Sequence, residues 1–94
     1  MLYHLAIHVP KPEHEQDVIE SMRRFGAAAA TQPGLIEVHT LRDTRGSGAL
    51  VGFAIWGSAD ALMAAQPALG AATEGDDFDA WETEPIRSFL CEEF

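Results

Sequence analysis

The chain has 94 residues, enough for one domain over residues 1–94 and for no second core. Its hydrophobic content of 47% and charged content of 22% are typical of a globular protein and exclude a disordered or fibrous chain. Fifteen acidic and six basic residues give a formal charge of −9, which repels phosphate groups, so we expect neither nucleic acid nor a membrane as a partner.

A strand is predicted over residues 2–9, because strand-forming side chains alternate there between two faces. The apolar face carries Tyr3, Leu5, Ile7 and Val9, and the mixed face carries His4, Ala6 and His8. Pro10 and Pro12 end this strand, and Pro12 suits the first turn of a helix. That helix is predicted over residues 13–31, with one apolar face formed by Val18, Met22, Phe25 and Ala29.

The second half of the chain predicts a hairpin, a helix and a last strand. Residues 35–43 and 49–56 read as two strands joined by a connection with two glycines and a serine. Ser58 is a good N-cap for the next helix, which Pro67 is expected to kink or interrupt. The acidic run from Glu74 to Glu84 is interpreted as an irregular or briefly helical segment whose carboxylates are solvated surface or helix-end charge. Residues 85–94 are predicted to form the final strand.

The element order is therefore β-α-β-β-α-β with a central hairpin. It predicts an α+β, ferredoxin-like fold, in which a four-stranded antiparallel sheet carries both helices on one face. Nothing in the chain is left to cover the other sheet face. We therefore expect a homodimer. Cys91 is the only cysteine, and no secretion signal or apolar run of about 20 residues is visible, so a cytoplasmic location is expected.

The stretch from residue 32 to 62 resembles the antibiotic biosynthesis monooxygenase family of dimeric α/β barrels. The resemblance rests on a Pro-Gly pair opening the second strand, an Asp before the hairpin, and a strand-ending Trp that leads through a Ser into a helix. In this sequence they are Pro33-Gly34, Asp43, Trp56, Ser58 and Asp60-Ala61-Leu62. The resemblance implies pairing as a dimeric barrel. The superfamily includes cofactor-independent oxygenases that act on polyphenols and quinols, haem-degrading enzymes, and proteins of no known activity.

Haem chemistry is not favoured by this resemblance. The haem-degrading branch has an Asn on the first strand and a His on the helix after the Trp. The corresponding positions here hold Leu5 and either Ala65 or Gln66. We therefore expect no cofactor.

Three histidines, His4, His8 and His39, are the candidate catalytic residues, because histidine acts as a general base near neutral pH. Oxygenation of a phenol without a cofactor begins with removal of the phenolic proton. His4 and His8 are about 13 Å apart along a strand and His39 lies on a non-adjacent strand, so these side chains cannot share a metal and none is expected. The alternative is that these histidines have no catalytic role and lie on a partly solvated strand face or at the dimer interface.

A pocket is predicted beside Trp56, because Gly52 and Ala54 precede it on the same strand face and leave volume unfilled. The residues expected to line it are Tyr3, Met22, Phe25, Gly52, Ala54 and Trp56, with Trp81 or Phe78 closing the mouth. The alternative is that Trp56 is ordinary core.

These observations predict a cofactor-independent monooxygenase, an oxidoreductase acting on a small aromatic substrate that is a quinol or resembles a polyketide. The alternative is a non-catalytic protein of the same fold that binds a small aromatic or apolar ligand. A third hypothesis is a structural dimer whose cavity has no ligand.

Overall fold

Four strands form one antiparallel sheet in the computed structural model, which describes all residues 1–94. They are β1 (Leu2–His8), β2 (Leu35–Arg42), β3 (Leu50–Trp56) and β4 (Arg87–Cys91), and they lie in the order β2-β3-β1-β4. Two long helices, α1 (Glu15–Ala30) and α2 (Ala59–Ala72), and a short α3 (Phe78–Trp81) complete the chain. The predicted ferredoxin-like α+β fold is confirmed.

The two faces of the sheet differ in what covers them. Register pairs His8 with Leu50 and His4 with Ala54. Leu50 packs with Val18 and Met22 of α1, and Ala54 lies in the core cluster with residues of α2, so the mixed face of β1 is the one that faces the helices. The opposite face, which we call the open face, carries mainly apolar side chains from β1, β3 and the edge strands: Tyr3, Leu5, Ile7, Val51, Phe53, Ile55, Leu41 and Phe89. No helix of the chain covers the open face.

The core forms where the two long helices meet the sheet. On α1 the predicted residues Val18, Met22 and Ala29 are buried, Phe25 of the same stripe is half-buried, and Ser21, which is not among the predicted residues, is buried as well. The largest core cluster joins α2 to the sheet through Trp56, which is fully buried against Leu62, Ala65 and Leu69. Burial of each leucine in this cluster stabilises the fold by about 1.5–3 kcal/mol.

The sequence predicts that Pro67 kinks or interrupts α2; the interruption is wrong, because the helix is continuous over Ala59–Ala72. A proline inside a helix removes the hydrogen bond to the carbonyl four residues earlier, which is that of Met63. Both residues are exposed, Met63 at 69%, so water can satisfy the freed carbonyl. Ser58 caps this helix as predicted, since its Oγ accepts the Ala61 N–H at 3.1 Å.

The interpretation of residues 74–84 as solvated surface is wrong at two positions. Asp76 accepts a hydrogen bond from the Ser21 hydroxyl and pairs with Arg24 at 2.6 Å, which ties this segment to α1. Glu82 is 6% exposed and lies against the end of β1, where an isolated bridge joins it to Pro10. The segment is thereby held against the rest of the domain. None of the helices is long and apolar enough to cross a bilayer.

Candidate functional site

A cavity of about 230 Å³ lies between α1 and the sheet. Its floor is a row of small side chains from three neighbouring strands, Ala6, Gly52 and Thr40, which the register places side by side. A Cβ atom built on Gly52 would be 3.8 Å from Met22 Cε and 4.0 Å from Ala6 Cβ. The space above the floor is therefore open because this row has almost no side-chain volume. Ligand pockets typically measure about 300–1,000 Å³, so this cavity lies just below that range.

The walls come from one face of α1 and from the segment after α2. Ser21, Met22, Phe25 and Gly26 recur at spacings that put them on one side of the helix. Phe78, the first residue of α3, closes one end of the cavity. Most of the lining is apolar, so the few polar groups in it decide which ligand atoms can be bound.

His8 and Glu82 form a buried pair at the cavity wall. His8 is 7% exposed and lines the cavity, and its Nδ1 lies 2.8 Å from Glu82 Oε2. The other carboxylate oxygen, Oε1, accepts the backbone N–H of Val9 at 3.2 Å, so both oxygens of Glu82 are engaged. The ring of Phe78 packs against His8 with a centroid separation of 5.7 Å. The orientation of the imidazole is therefore fixed by contacts on two sides.

His4 lines the cavity from the same strand as His8. Its ring meets Phe25 edge to face, at a centroid separation of 6.2 Å, and no hydrogen-bonding side chain contacts it. Burial lowers the pKa of His4 from 6.5, because the charged imidazolium loses its hydration there. His4 is consequently neutral at pH 7 and can accept or donate one hydrogen bond.

His39 is separated from these two histidines by the sheet itself. His39 is among the residues around the cavity, but side chains alternate along a strand, and its ring stacks on Phe53 on the open face at 6.4 Å. The imidazole is about half exposed, 52%, and its nearest charged partner is Glu37 at 3.8 Å. The structure thus brings His4 and His8 to one cavity and leaves the His39 side chain outside it.

The pocket residues named from the sequence divide in the same way. Met22, Phe25, Gly52 and Ala54 line the cavity. Tyr3 lies on the open face, where it stacks on Phe53 and donates to Glu93 at 2.7 Å, a contact that raises the pKa of its hydroxyl.

The two tryptophans also lie outside the cavity. Trp56 sits under α2 in the core, its indole N–H has no hydrogen-bond partner, and the cavity opens under α1 instead. Trp81 packs behind Phe78, edge to face at 5.8 Å, and against the cluster of Val18, Met22 and Leu50. The expectation that Trp56 walls the cavity is therefore corrected, whereas Phe25, and Phe78 as the alternative to Trp81, lie among the lining residues.

Glu82 and Ser21 are polar residues of the site that the sequence alone does not reveal as such. Ser21 lines the cavity at 1% exposure, with its hydroxyl donated to Asp76. The signal for Ser21 in the sequence is a serine that lies within an apolar helical stripe. No local pattern distinguishes Glu82 from its acidic neighbours, since its partner is 74 residues away. No group of three His, Cys, Asp or Glu side chains is arranged to hold a metal ion.

The fold is a ferredoxin-like sheet with a small, mostly apolar cavity and a buried histidine at its wall. The model of the antibiotic biosynthesis monooxygenase family matches residues 1–84, so the chain belongs to that family. No curated protein sequence matches the chain.

Solved structures of similar fold cover almost the whole chain. Rv0793 from Mycobacterium tuberculosis superposes with a TM-score of 0.85 at 15% identity, covering 99% of this chain and 94% of that one. A variant of SnoaB, a cofactor-independent oxygenase from Streptomyces nogalater, gives a TM-score of 0.79 at 19% identity, covering 98% and 91%. PA3566 from Pseudomonas aeruginosa gives 0.81 at 16% identity, covering 99% and 93%. At these identities the likeness shows the fold alone.

Proposed function

We propose that the protein is a cofactor-independent monooxygenase whose substrate is a small hydroxyarene, a quinol or a polyketide-like phenol, with His8 as the general base. One observation carries the proposal: an imidazole on the wall of an apolar cavity is held through Nδ1, at 2.8 Å, by a buried carboxylate. Family membership and the fold shared with SnoaB, itself described as a cofactor-independent oxygenase, support the same chemistry.

The pair fixes which nitrogen of His8 can act. A carboxylate only accepts hydrogen bonds, so Nδ1 donates to Glu82 and Nε2 keeps its lone pair. Nε2 is then the atom that accepts the phenolic proton. The resulting imidazolium lies beside the Glu82 carboxylate, which stabilises the positive charge as it develops. Glu82 is a positioning residue here, because it acts through His8.

Proton removal makes the arene electron-rich enough to react with dioxygen. The phenolate delivers two electrons to O2, in one-electron steps, through a ring carbon that bears hydrogen, which is the para carbon of a simple phenol or the ortho carbon of a quinol, and a hydroperoxide forms at that carbon. Loss of the C–H proton from the same carbon and cleavage of the O–O bond then release water and leave a carbonyl. One phenol and one O2 give one quinone and one water, so the substrate supplies all the electrons. An apolar cavity favours this step, since it excludes water from the reactive carbanion.

His4 is proposed to bind a second oxygen of the substrate. It lies four residues from His8 on the same strand, about 13 Å away, and its neutral ring can donate or accept a hydrogen bond. His39 is given no catalytic role, because its ring stacks on Phe53 on the other side of the sheet.

We also propose that the protein works as a homodimer paired through the open face. Five of its half-buried side chains, Leu5, Ile7, Val51, Phe53 and Ile55, are apolar and come from the two central strands. A contiguous apolar surface of this kind is rare on a monomer. Pairing on this face leaves the cavity, which lies on the other side of the sheet, free to bind its ligand.

Oxygen uptake with a panel of quinols and polyketide-like phenols, without added metal or flavin, tests the function. We expect uptake by the native protein, loss of turnover by about 10²-fold or more in His8→Gln, the size expected for a lost general base, and little change in His39→Gln. Glu82→Gln should lower turnover while binding is retained. Ligand binding with no oxygen uptake for any substrate would favour the non-catalytic binding protein instead.

A further inference from the structure

A shallow groove of about 150 Å³ adjoins the cavity on the side of the edge strand β2. The cavity and the groove share two lining residues, Met22 and Thr40. Thr40 is the last member of the floor row that begins at Ala6 and passes through Gly52. The floor of the cavity therefore continues into the groove, and the flexible Met22 side chain lies between them.

The groove is the one place near the cavity where positive charge is concentrated. The chain has six basic residues against fifteen acidic ones, and two of the six, Arg23 and Arg42, line this groove. Arg23 makes no ion pair in the structure. Arg42 pairs with Glu15 at 2.9 Å, but both side chains are largely exposed, so the pair is weak and can be exchanged. A guanidinium without a partner beside an apolar cavity is suited to an anion.

The register gives the distance between this charge and the proposed base. In the sheet, Arg42 lies opposite Leu50 on the neighbouring strand, and Leu50 lies opposite His8, so the three residues form one row across β2, β3 and β1. Two strand spacings separate the ends of this row by about 10 Å. A flat aromatic ligand lying over the neighbouring row of small residues can thus have one end near His8 and the other near the arginines.

We propose that the groove binds the carboxylate of an acidic aromatic substrate whose ring lies in the cavity. The inference rests on the proposed function, and it narrows the substrate class to hydroxyarene carboxylates. Guanidinium groups bind carboxylates through two parallel hydrogen bonds. The two arginines therefore give this negatively charged protein a local site for a negatively charged substrate.

A size-matched pair of ligands isolates the carboxylate. Isothermal titration calorimetry would compare 6-hydroxy-2-naphthoate with its methyl ester, binding to the native protein at low salt. We expect the acid to bind more tightly, and the preference to disappear in about 0.5 M NaCl because the charges are exposed. The acid should also displace the ester, as two ligands of one cavity do.

Variants of single arginines locate the effect. Arg23→Gln and Arg42→Gln should each weaken binding of the acid roughly 2- to 5-fold, the size expected for one exposed ion pair, and leave the ester unchanged. Arg87→Gln is the matched control, since it removes the same charge from β4 at the opposite edge of the sheet. Glu15→Gln should strengthen binding of the acid, because it frees Arg42.

The outcomes separate this inference from the function on which it rests. Equal affinity for acid and ester, or an acid preference that both arginine variants keep, overturns the carboxylate site and leaves the aromatic cavity in place. An equal loss in Arg87→Gln overturns it as well, because the effect would then be one of net charge. If neither ligand binds, the proposed function and the carboxylate site both fail.

Discussion

Substitution of Gly52 by alanine is expected to stabilise the protein while reducing the space for a ligand. Glycine inside a strand costs about 0.5–1 kcal/mol relative to alanine, because the unfolded chain has more freedom to lose. The added Cβ would lie 3.8 Å from Met22 Cε and 4.0 Å from Ala6 Cβ, which is ordinary contact without strain. The gain in free energy of unfolding should therefore be retained, and it corresponds to a rise in Tm of about 2 to 8 °C.

Gly52→Val extends the same perturbation into the cavity. Its two further methyl groups would occupy space that is open in the native protein, so the stability cost should stay below about 1.5 kcal/mol, whereas overpacking a filled core costs about 1–3 kcal/mol. Binding of 6-hydroxy-2-naphthoate methyl ester should fall by about tenfold or more, which is about 1.4 kcal/mol of binding free energy. Urea unfolding and calorimetric titration measure the two effects on the same samples.

Gly70→Ala is the control for the alanine variant. Gly70 lies in α2, and a Cβ atom added there would meet no other atom within 4 Å, so the change should stabilise the protein without altering affinity. A loss of several kcal/mol in Gly52→Val together with unchanged ligand affinity would refute the reasoning. In that case the space above Gly52 is filled core, and the binding site lies elsewhere.

Three further results are expected. Glu82→Gln should lower the free energy of unfolding by about 1–3 kcal/mol in urea titrations, since it removes a buried charged acceptor from His8 and Val9; no change would contradict the buried pair. Burial lowers the pKa of His4, so the unfolded state binds more protons, and stability should fall as pH drops below 6.5. His4→Gln should lack this loss when unfolding midpoints are compared at about one pH unit above and one below 6.5. Light scattering should give twice the 10.2 kDa chain mass, and Phe53→Glu on the open face should give a monomer; a native monomer would refute the dimer.

The fold could be predicted from the sequence because its elements carry local signals. Apolar alternation marks β1, the stripe through Val18 and Met22 marks α1, and Ser58 marks the start of α2. Pro67 shows the limit of such signals. Its effect on α2 depends on whether the freed Met63 carbonyl reaches water, which only the packed helix decides.

The site could be predicted in part, since small residues on a strand indicate unfilled volume. Gly52 and Ala54 both line the cavity, but Trp56 does not, because α2 rather than α1 covers its end of β3. Tyr3 is predicted from the sequence to line the pocket, although strand alternation puts its side chain on the face opposite to His4 and His8. Tertiary packing decides which face of β1 meets the helices, and it leaves the apolar face on the open side of the sheet.

The His8–Glu82 pair lies beyond sequence reasoning for a different reason. Its members are 74 residues apart, and their approach depends on the segment after α3 returning along the end of β1. Thr83 donates its backbone N–H to the Val9 carbonyl at 2.8 Å, and Lys11 donates to the Trp81 carbonyl at the same distance. These backbone contacts bring an acidic residue next to a histidine, and no periodic pattern encodes them.

The most direct test of the proposed chemistry follows the oxygen atoms. The protein, freed of metal and flavin, would be given a hydroxyarene substrate under ¹⁸O2, and mass spectrometry would measure the label in product and water for the native protein and for His8→Gln. The proposed mechanism requires one labelled atom in the quinone and one in water, and loss of labelled product when His8 is replaced. Labelled quinone formed equally well by His8→Gln, or oxygen incorporated from water alone, would contradict it.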